Sequence, residues 1–430
     1  MRQPTVFSKL YASFDHALPR ELGNGNVIET VDLADTRRAS NEDAASSRAR
    51  PDAAATAVQA LLPLTTVDAE AWRRLSLRAI EPNGYYLADW ELAVNASAPG
   101  RTGASALAAF SDNPSAPMIG LLPVVPVWRA YKIPLPALVS AHPYGTLCTP
   151  LLDRDRADDA ASRLMQAARE AGARALILRE VSLHGAAMKA FTEVLRREDL
   201  RPRALQSHLR ARLDATRDAD QLLRDGLGAK KLKELRRQRH RLAEHGAVHF
   251  EVARSPQEVM AAIETFLHLE ASGWKGERGT ALLKVEGDAA FIRRATRALA
   301  ETGQCEIVTL RAGETPVAAG IVLRHQNRAF FFKLGIDERF AKYSPGVQLT
   351  LDLTRHLCAD PQIASADSTA TPDHPMINPV WRGRLAIGDV LIPLRQNDPV
   401  VPLIKAALVL RQFAHDMARR AVHFIRGRRA

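Results

Sequence analysis

The chain has 430 residues, 46% of them hydrophobic, and a formal net charge of +11, so it is long enough for two domains plus appendages and electrostatically suited to an anionic partner: nucleic acid, acidic lipid or a phosphorylated substrate. Its three cysteines, Cys148, Cys305 and Cys358, are odd in number and widely spaced without a CxxC pair, which argues against a disulfide scaffold or a zinc site and for a reducing compartment. No run approaches the roughly 18 apolar residues of a membrane-spanning helix, and the first residues lack a signal-type apolar core, so we expect a cytoplasmic protein with no metal.

Residues 1–56 drift into DTRRASNEDAASSRARPDAAA, nearly free of large apolar groups, and this composition predicts a disordered segment. Over 57–212 the pattern is that of a first domain. A helix is expected near Ala69 to Arg78, then a turn at Pro82, Asn83 and Gly84 ahead of the aromatic cluster in PNGYYLADW. Strands are expected at Ser105 to Phe110, Met118 to Trp128 and near Leu135 to Ala141. They are followed by the loop HPYGTLCTPLLD, a helix at Asp158 to Ala171 and a strand at Ala175 to Leu178.

A second domain is expected over 213–395. Ala215 to Glu244 reads as a helix whose core KKLKELRRQRHRL puts Leu232, Leu235 and Leu242 near one face and leaves Lys231, Arg236, Arg237, Arg239 and Arg241 largely elsewhere. It is either a solvated connector or a phosphate clamp using the bidentate reach of arginine. Ser255-Pro256-Gln257-Glu258 forms a capping box with proline at the first helical position, and the helix it opens runs to Ser272 and stops at Gly273. Glu270 then lies in the last turn, at the negative end of the helix dipole. An unpaired carboxylate there suits a general base, and the alternative is an ion pair with Lys275 or an arginine. Trp274 beside it is a packing anchor or a substrate platform.

Cys305 to Arg311, Pro316 to His325 and Ala329 to Leu334 read as a three-stranded antiparallel meander that stops at Gly335. Asp337, Glu338, Arg339, Lys342 and Tyr343 form a polar loop, after which Ser344, Pro345 and Gly346 open a helix from about Val347 to Leu357. Unpaired N–H groups and the positive dipole end make such a helix start a phosphate site. Meander, Pro/Gly-rich loop, helix and strand occur in the same order in both halves, a faint internal repeat. Ile363 to Ala366 reads as a buried strand ending at Asp367, a site candidate, and His374 in the next loop is either structural or a base. Over 396–430, Leu403, Ala407, Leu410, Ala414, Met417, Ala421 and Phe424 recur at helical spacing among basic residues. This predicts an amphipathic helix that lies on an anionic membrane or packs on the protein's own domains or a second subunit.

LEASGWKG (Leu269 to Gly276), GTAL (Gly279 to Leu282) and FFKLGIDERFAKYSPG together resemble the cellulose-biosynthesis, CelD-like branch of the GNAT acyltransferase superfamily, related to the Fem-type aminoacyl transferases. The resemblance covers roughly Lys230 to Val390. It implies an α+β (mixed α/β) fold of two tandem GNAT-like domains, each a mostly antiparallel sheet flanked by helices. It also implies acyl transfer from acetyl-CoA or another acyl-CoA to a saccharide or lipid-linked saccharide of envelope or exopolysaccharide synthesis. The resemblance puts family roles on Glu270, Asp337, Asp367 and Tyr343 for catalysis, Ser344 and Gly346 for the donor, and Lys275 and Lys333 for substrate; the reading of the residues adds Pro345 and Val347 to the donor site and Trp274, Arg237 and His374 to the substrate side. The superfamily signature of Gln or Arg, two residues, Gly, one residue, Gly or Ala is reduced here to Tyr343-Ser344-Pro345-Gly346. The competing readings are aminoacyl transfer from charged tRNA, with nucleic acid disfavoured because the basic linker is short, and a non-catalytic scaffold. A membrane partner would place the chain at the inner face of the membrane.

Overall fold

A computed structural model of the protein describes residues 61–111, 117–273, 276 and 279–427, with side chains left undescribed at 415, 416 and 418–427. The segment expected to be disordered, 1–56, lies outside these residues. The first half runs β1 (Leu62–Pro63), α1 (Ala69–Leu77), α2 (Ala88–Ser97), β2 (Ser105–Phe110), β3 (Met118–Pro126), α3 (Val127–Tyr131), β4 (Ala137–Ser140), β5 (Leu151–Leu152), α4 (Ala157–Glu170), β6 (Ala175–Ser182), α5 (Ala186–Arg197) and β7 (Arg203–Asp214). There follow α6 (Ala219–Leu242), β8 (Val248–Ala253), α7 (Pro256–Ser272), α8 (Glu286–Glu301), β9 (Cys305–Ala312), β10 (Thr315–His325), β11 (Arg328–Ile336), α9 (Pro345–Ala359), β12 (Ser365–Asp367), β13 (Gly383–Pro393) and α10 (Val400–Gly427).

Local chemistry sets the element ends that matter most. The Ser255 hydroxyl accepts the Glu258 N–H and the Glu258 carboxylate takes the Ser255 N–H, so the capping box forms and α7 ends at Gly273 as expected. α6 carries Leu223, Leu232, Leu235 and Leu242 inward, but it is bent at Gly228, where φ 73° and ψ 161° interrupt the helix. The single straight helix expected from Ala215 is therefore two segments set at an angle.

Among the described residues thirteen strands form one sheet, ordered β1-β2-β3-β4-β6-β13-β7-β12-β11-β10-β9-β8, with β5 on β3. The order is a repeat. β2-β3-β4 and β9-β10-β11 are antiparallel meanders, and each ends in a strand that pairs in parallel with the next, β4 with β6 and β11 with β12, for three residues only. This is the mixed α/β architecture of two tandem GNAT-like domains. The halves also exchange strands: β13, from the end of the second, pairs with β6, while β7, from the end of the first, pairs with β12, and β7 and β13 pair with each other at the centre.

One core is built from both halves. Tyr85, Leu87, Trp90 and Leu147 pack with Phe266, Phe291, Phe330 and Phe332, and the Trp90 ring stands edge-on to Phe291 and Phe332, each 5.0 Å away. His325 ties the same halves. Its Nδ1 accepts the Asn83 N–H (2.8 Å) and its Nε2 lies 2.8 Å from the Ser76 carbonyl, so the neutral ring satisfies both groups. Burial pushes the imidazole down from 6.5 to about 4. The unfolded chain therefore takes up a proton at higher pH than the folded one. Stability present above pH 6.5 is expected to fall by on the order of 3 kcal/mol from this group as pH drops from about 6.5 to about 4. Urea midpoints across that range should show the loss in the native chain and a shallower slope in His325→Gln. Part of the slope remains, because burial also lowers His374 to about 4.

Candidate active site

β11 carries one residue more than its partner. Ile321 faces Lys333 and Val322 faces Phe331, leaving Phe332 bulged. The bulge turns Phe332 and Lys333 to the same face, towards α7 and the shared aromatic core. Beyond it, Gly335 passes so close to α7 that a Cβ there would meet the Glu270 backbone nitrogen at 2.9 Å, which explains glycine at this position.

That contact brings together two residues singled out from the sequence. The buried Glu270 carboxylate receives the Lys333 ammonium at 3.2 Å on Oε1 and the Leu282 N–H at 2.9 Å on Oε2. Lys333 is therefore one of its partners; Lys275, the lysine considered from the sequence, lies outside the described residues, as does Trp274. The Lys333 ammonium also lies 5.8 Å from the ring centroid of Tyr144 and 5.9 Å from that of Phe332. Tyr144 comes from the loop after β4 with φ 61°, and the Arg101 guanidinium sits over its ring, 4.3 Å from the centroid. Burial raises the Tyr144 hydroxyl, helped by the nearby Asp288 charge, and burial lowers Arg101. Both halves therefore furnish this polar cluster.

A second group gathers where α9 starts. Tyr343 ends a 3-10 turn (Glu338–Tyr343), and its hydroxyl lies 2.9 Å from His245 Nε2 in the 3-10 turn (Ala243–His245) that follows α6. Ser344 adopts φ 53°, ψ 52°, a left-handed conformation costly for a residue with a side chain, and its hydroxyl makes no capping bond. Pro345 has no N–H to offer. The Gln348 N–H is taken by the Ser344 carbonyl, while among the described residues no acceptor meets the N–H groups of Gly346 and Val347. An enclosed helix start with two free donors and a positive dipole end fits a phosphate or another anion.

The other candidates lie apart. Asp337 caps the 3-10 turn and both its oxygens are held by Arg339, the closer contact at 2.7 Å. Asp367 is level with Phe330, at the start of β11, and is fully buried against Arg210 of β7; the three acids do not converge at one end of the sheet. His374 is buried, and its Nδ1 accepts the N–H groups of Met376 and Ile377, which closes the turn. Arg237 is exposed on α6. A cleft of about 170 Å³ between α6 and α9 is lined instead by Arg236, Arg239 and Arg355. There Arg239 pairs with Asp352 (2.7 Å) and Arg355 with Asp220 (3.1 Å), so these arginines hold the helices together. Sequence reasoning missed Tyr144, Arg101, His245 and Arg210. The HPYGTLCTP loop was visible as a loop, but no spacing marked its tyrosine.

Residues 229–372, a stretch spanning α6 to Asp367 and the loop after it, match the acetyltransferase (GNAT) domain family. No curated protein sequence gives a significant match. Among solved structures the chain is similar to FemX, at 12% identity and a TM-score of 0.51, over 79% of this chain and 98% of FemX. It is also similar, at 14% identity and a TM-score of 0.49, to the C-terminal domain (DUF2156) of a candidate lysylphosphatidylglycerol synthetase of Agrobacterium fabrum, over 79% of this chain and 96% of that one. The FemX likeness shows a shared fold. Any acyltransferase reading rests on the domain match over residues 229–372.

Proposed function

We propose that the chain transfers an acyl group, acetyl in the simplest case, from acyl-CoA to a hydroxyl or amine of a saccharide or lipid-linked saccharide. The observation that carries the donor half of this reading is the start of α9, where Gly346 and Val347 present unclaimed N–H groups inside the segment matching the GNAT domain. The donor's phosphates would sit there. Tyr343, whose hydroxyl meets His245, would return a proton to the departing thiolate. Transfer would be direct, with the Glu270–Lys333 pair at the β11 bulge handling the acceptor's proton. The saccharide acceptor rests on the CelD-like motifs around Gly273 and Gly335, and exopolysaccharide or envelope synthesis is the setting they suggest.

Calorimetry with acetyl-CoA tests the reading. The native chain should bind, and Gly346→Leu should bind at least about tenfold more weakly with an unchanged circular dichroism spectrum, because the side chain blocks approach to the backbone donors. A native chain that binds no acyl-CoA overturns the proposal; an unaffected variant moves the donor site elsewhere. Aminoacyl transfer from charged tRNA is the second reading, favoured by the exposed cations Lys233, Arg236 and Arg237 on α6. Turnover in extracts that ribonuclease abolishes would select it.

A further inference from the structure

α10 is anchored at its start and turns a row of large apolar side chains outward. Val401 and Ile404 are buried against Val127, Ile133, Ile177 and Leu391, and Ala407 and Leu408 pack on the rim of that core. The stripe expected from the sequence is therefore divided, since Ala407 faces the protein. Leu403, Leu410, Phe413 and Met417 face outward at 59%, 68%, 64% and 48% exposure, with Val409 beside them. Steps of seven, three and four residues keep these four on one side of a helix. Arg411 lies 4.8 Å over the ring of Tyr131 on α3, fixing the two helices together, and Trp128, one turn earlier on α3, is itself 55% exposed. Several large apolar groups, including a tryptophan, thus stand in solvent on neighbouring elements.

The charge around the stripe selects its occupant. From Val400 to Ala430 the sequence holds Lys405, Arg411, Arg419, Arg420, Arg426, Arg428 and Arg429 against the single acid Asp416. A second copy docked along the same face would bring these cations alongside their own duplicates. An anionic lipid surface offers the opposite sign together with an apolar layer. Among the described residues no helix is long and apolar enough to cross a membrane. We infer that α10 is a docking helix for anionic membrane surfaces, its outward stripe entering the interfacial layer while its cations meet lipid phosphate. The inference is independent of the acyl-donor reading.

Vesicle co-sedimentation with the full chain provides the test, comparing phosphatidylcholine alone with phosphatidylcholine containing phosphatidylglycerol. The chain should sediment with the anionic vesicles, stay in solution with the neutral ones, and be released as salt is raised. Leu410→Glu/Phe413→Glu alters two exposed side chains, so folding is preserved, and it should weaken binding at least about tenfold. No binding, equal binding to both vesicle types, or unchanged binding by the double variant each overturns the inference. So does a native chain that light scattering shows to be a dimer and the double variant a monomer, with neither binding vesicles.

Discussion

Replacing Glu270 with alanine is expected to destabilise the protein by about 3–5 kcal/mol, the usual consequence of breaking a buried ion pair from one side. The Lys333 side chain is 10% exposed and the Glu270 side chain fully buried, so water cannot replace the lost carboxylate. The Leu282 N–H loses its acceptor as well. Lys333→Met should cost less, since Glu270 keeps that N–H. The double variant Glu270→Leu/Lys333→Met should recover most of the loss, because two apolar side chains need no solvation. Urea unfolding of the four proteins gives the coupling directly. Glu270→Gln helps to separate structure from chemistry: its amide oxygen still accepts the Leu282 N–H, so it should destabilise less than alanine although it too leaves the Lys333 charge unpaired by Glu270, yet it cannot take a proton. Acyl-CoA turnover about a hundred to ten thousand times slower is expected if the pair handles the acceptor's proton. A folded glutamine variant with native turnover would confine the pair to packing.

The sequence carried the local order of the second half well, for a physical reason. The meander, the capping box of α7 and the Ser-Pro-Gly start of α9 are written in adjacent residues, so short-range chemistry decides them. Elements whose environment is supplied from afar were invisible. β7 and β13 read as charged and irregular, QSHLRARLD and GRLAIGDVL, because they sit at the centre of the sheet, where each half lends a strand to the other. α5 and α8 follow turns without marked caps, Gly185 and Val285 making no side-chain capping bond.

The candidate site divides the same way. The start of α9 was legible because its residues are consecutive. Lys333 was matched by motif alone; its pairing with Glu270 depends on a bulge and on the close passage at Gly335, neither of which is encoded by spacing. Tyr144 enters from a loop nearly two hundred positions away in the chain, delivered by the fold rather than by any pattern around it.

The strand exchange gives Arg210 and Asp367 an effect as large as that of the Glu270 pair, and asking for it tests the fold itself. Arg210 belongs to β7 and Asp367 to β12, and both are fully buried. The guanidinium reaches past Asp367 to the Thr146 carbonyl (2.6 Å) and hydroxyl (3.1 Å), while the other Asp367 oxygen takes the Thr369 N–H (2.9 Å). The Thr146 hydroxyl in turn donates to the Thr369 carbonyl at 3.1 Å, so one arginine binds a loop of the first half to a strand of the second. Close by, Glu180 of β6 holds φ 44°, and burial pushes its carboxyl up to about 7 against the pull of Arg210. Asp367→Ala leaves a buried cation without its main counter-charge, and about 3–5 kcal/mol of lost stability is expected, with Arg210→Met costing a similar amount. Because the link crosses the halves, the loss should be shared. Trp72 reports on the first half and Trp381 on the second, and single-tryptophan versions keeping one or the other should lose the same free energy in one cooperative transition. Separate midpoints for the two reporters in Asp367→Ala would mean that this pair, and not the exchanged strands, holds the halves to a common fate. A loss under about 1 kcal/mol would mean that Glu180 takes up the arginine once Asp367 is gone.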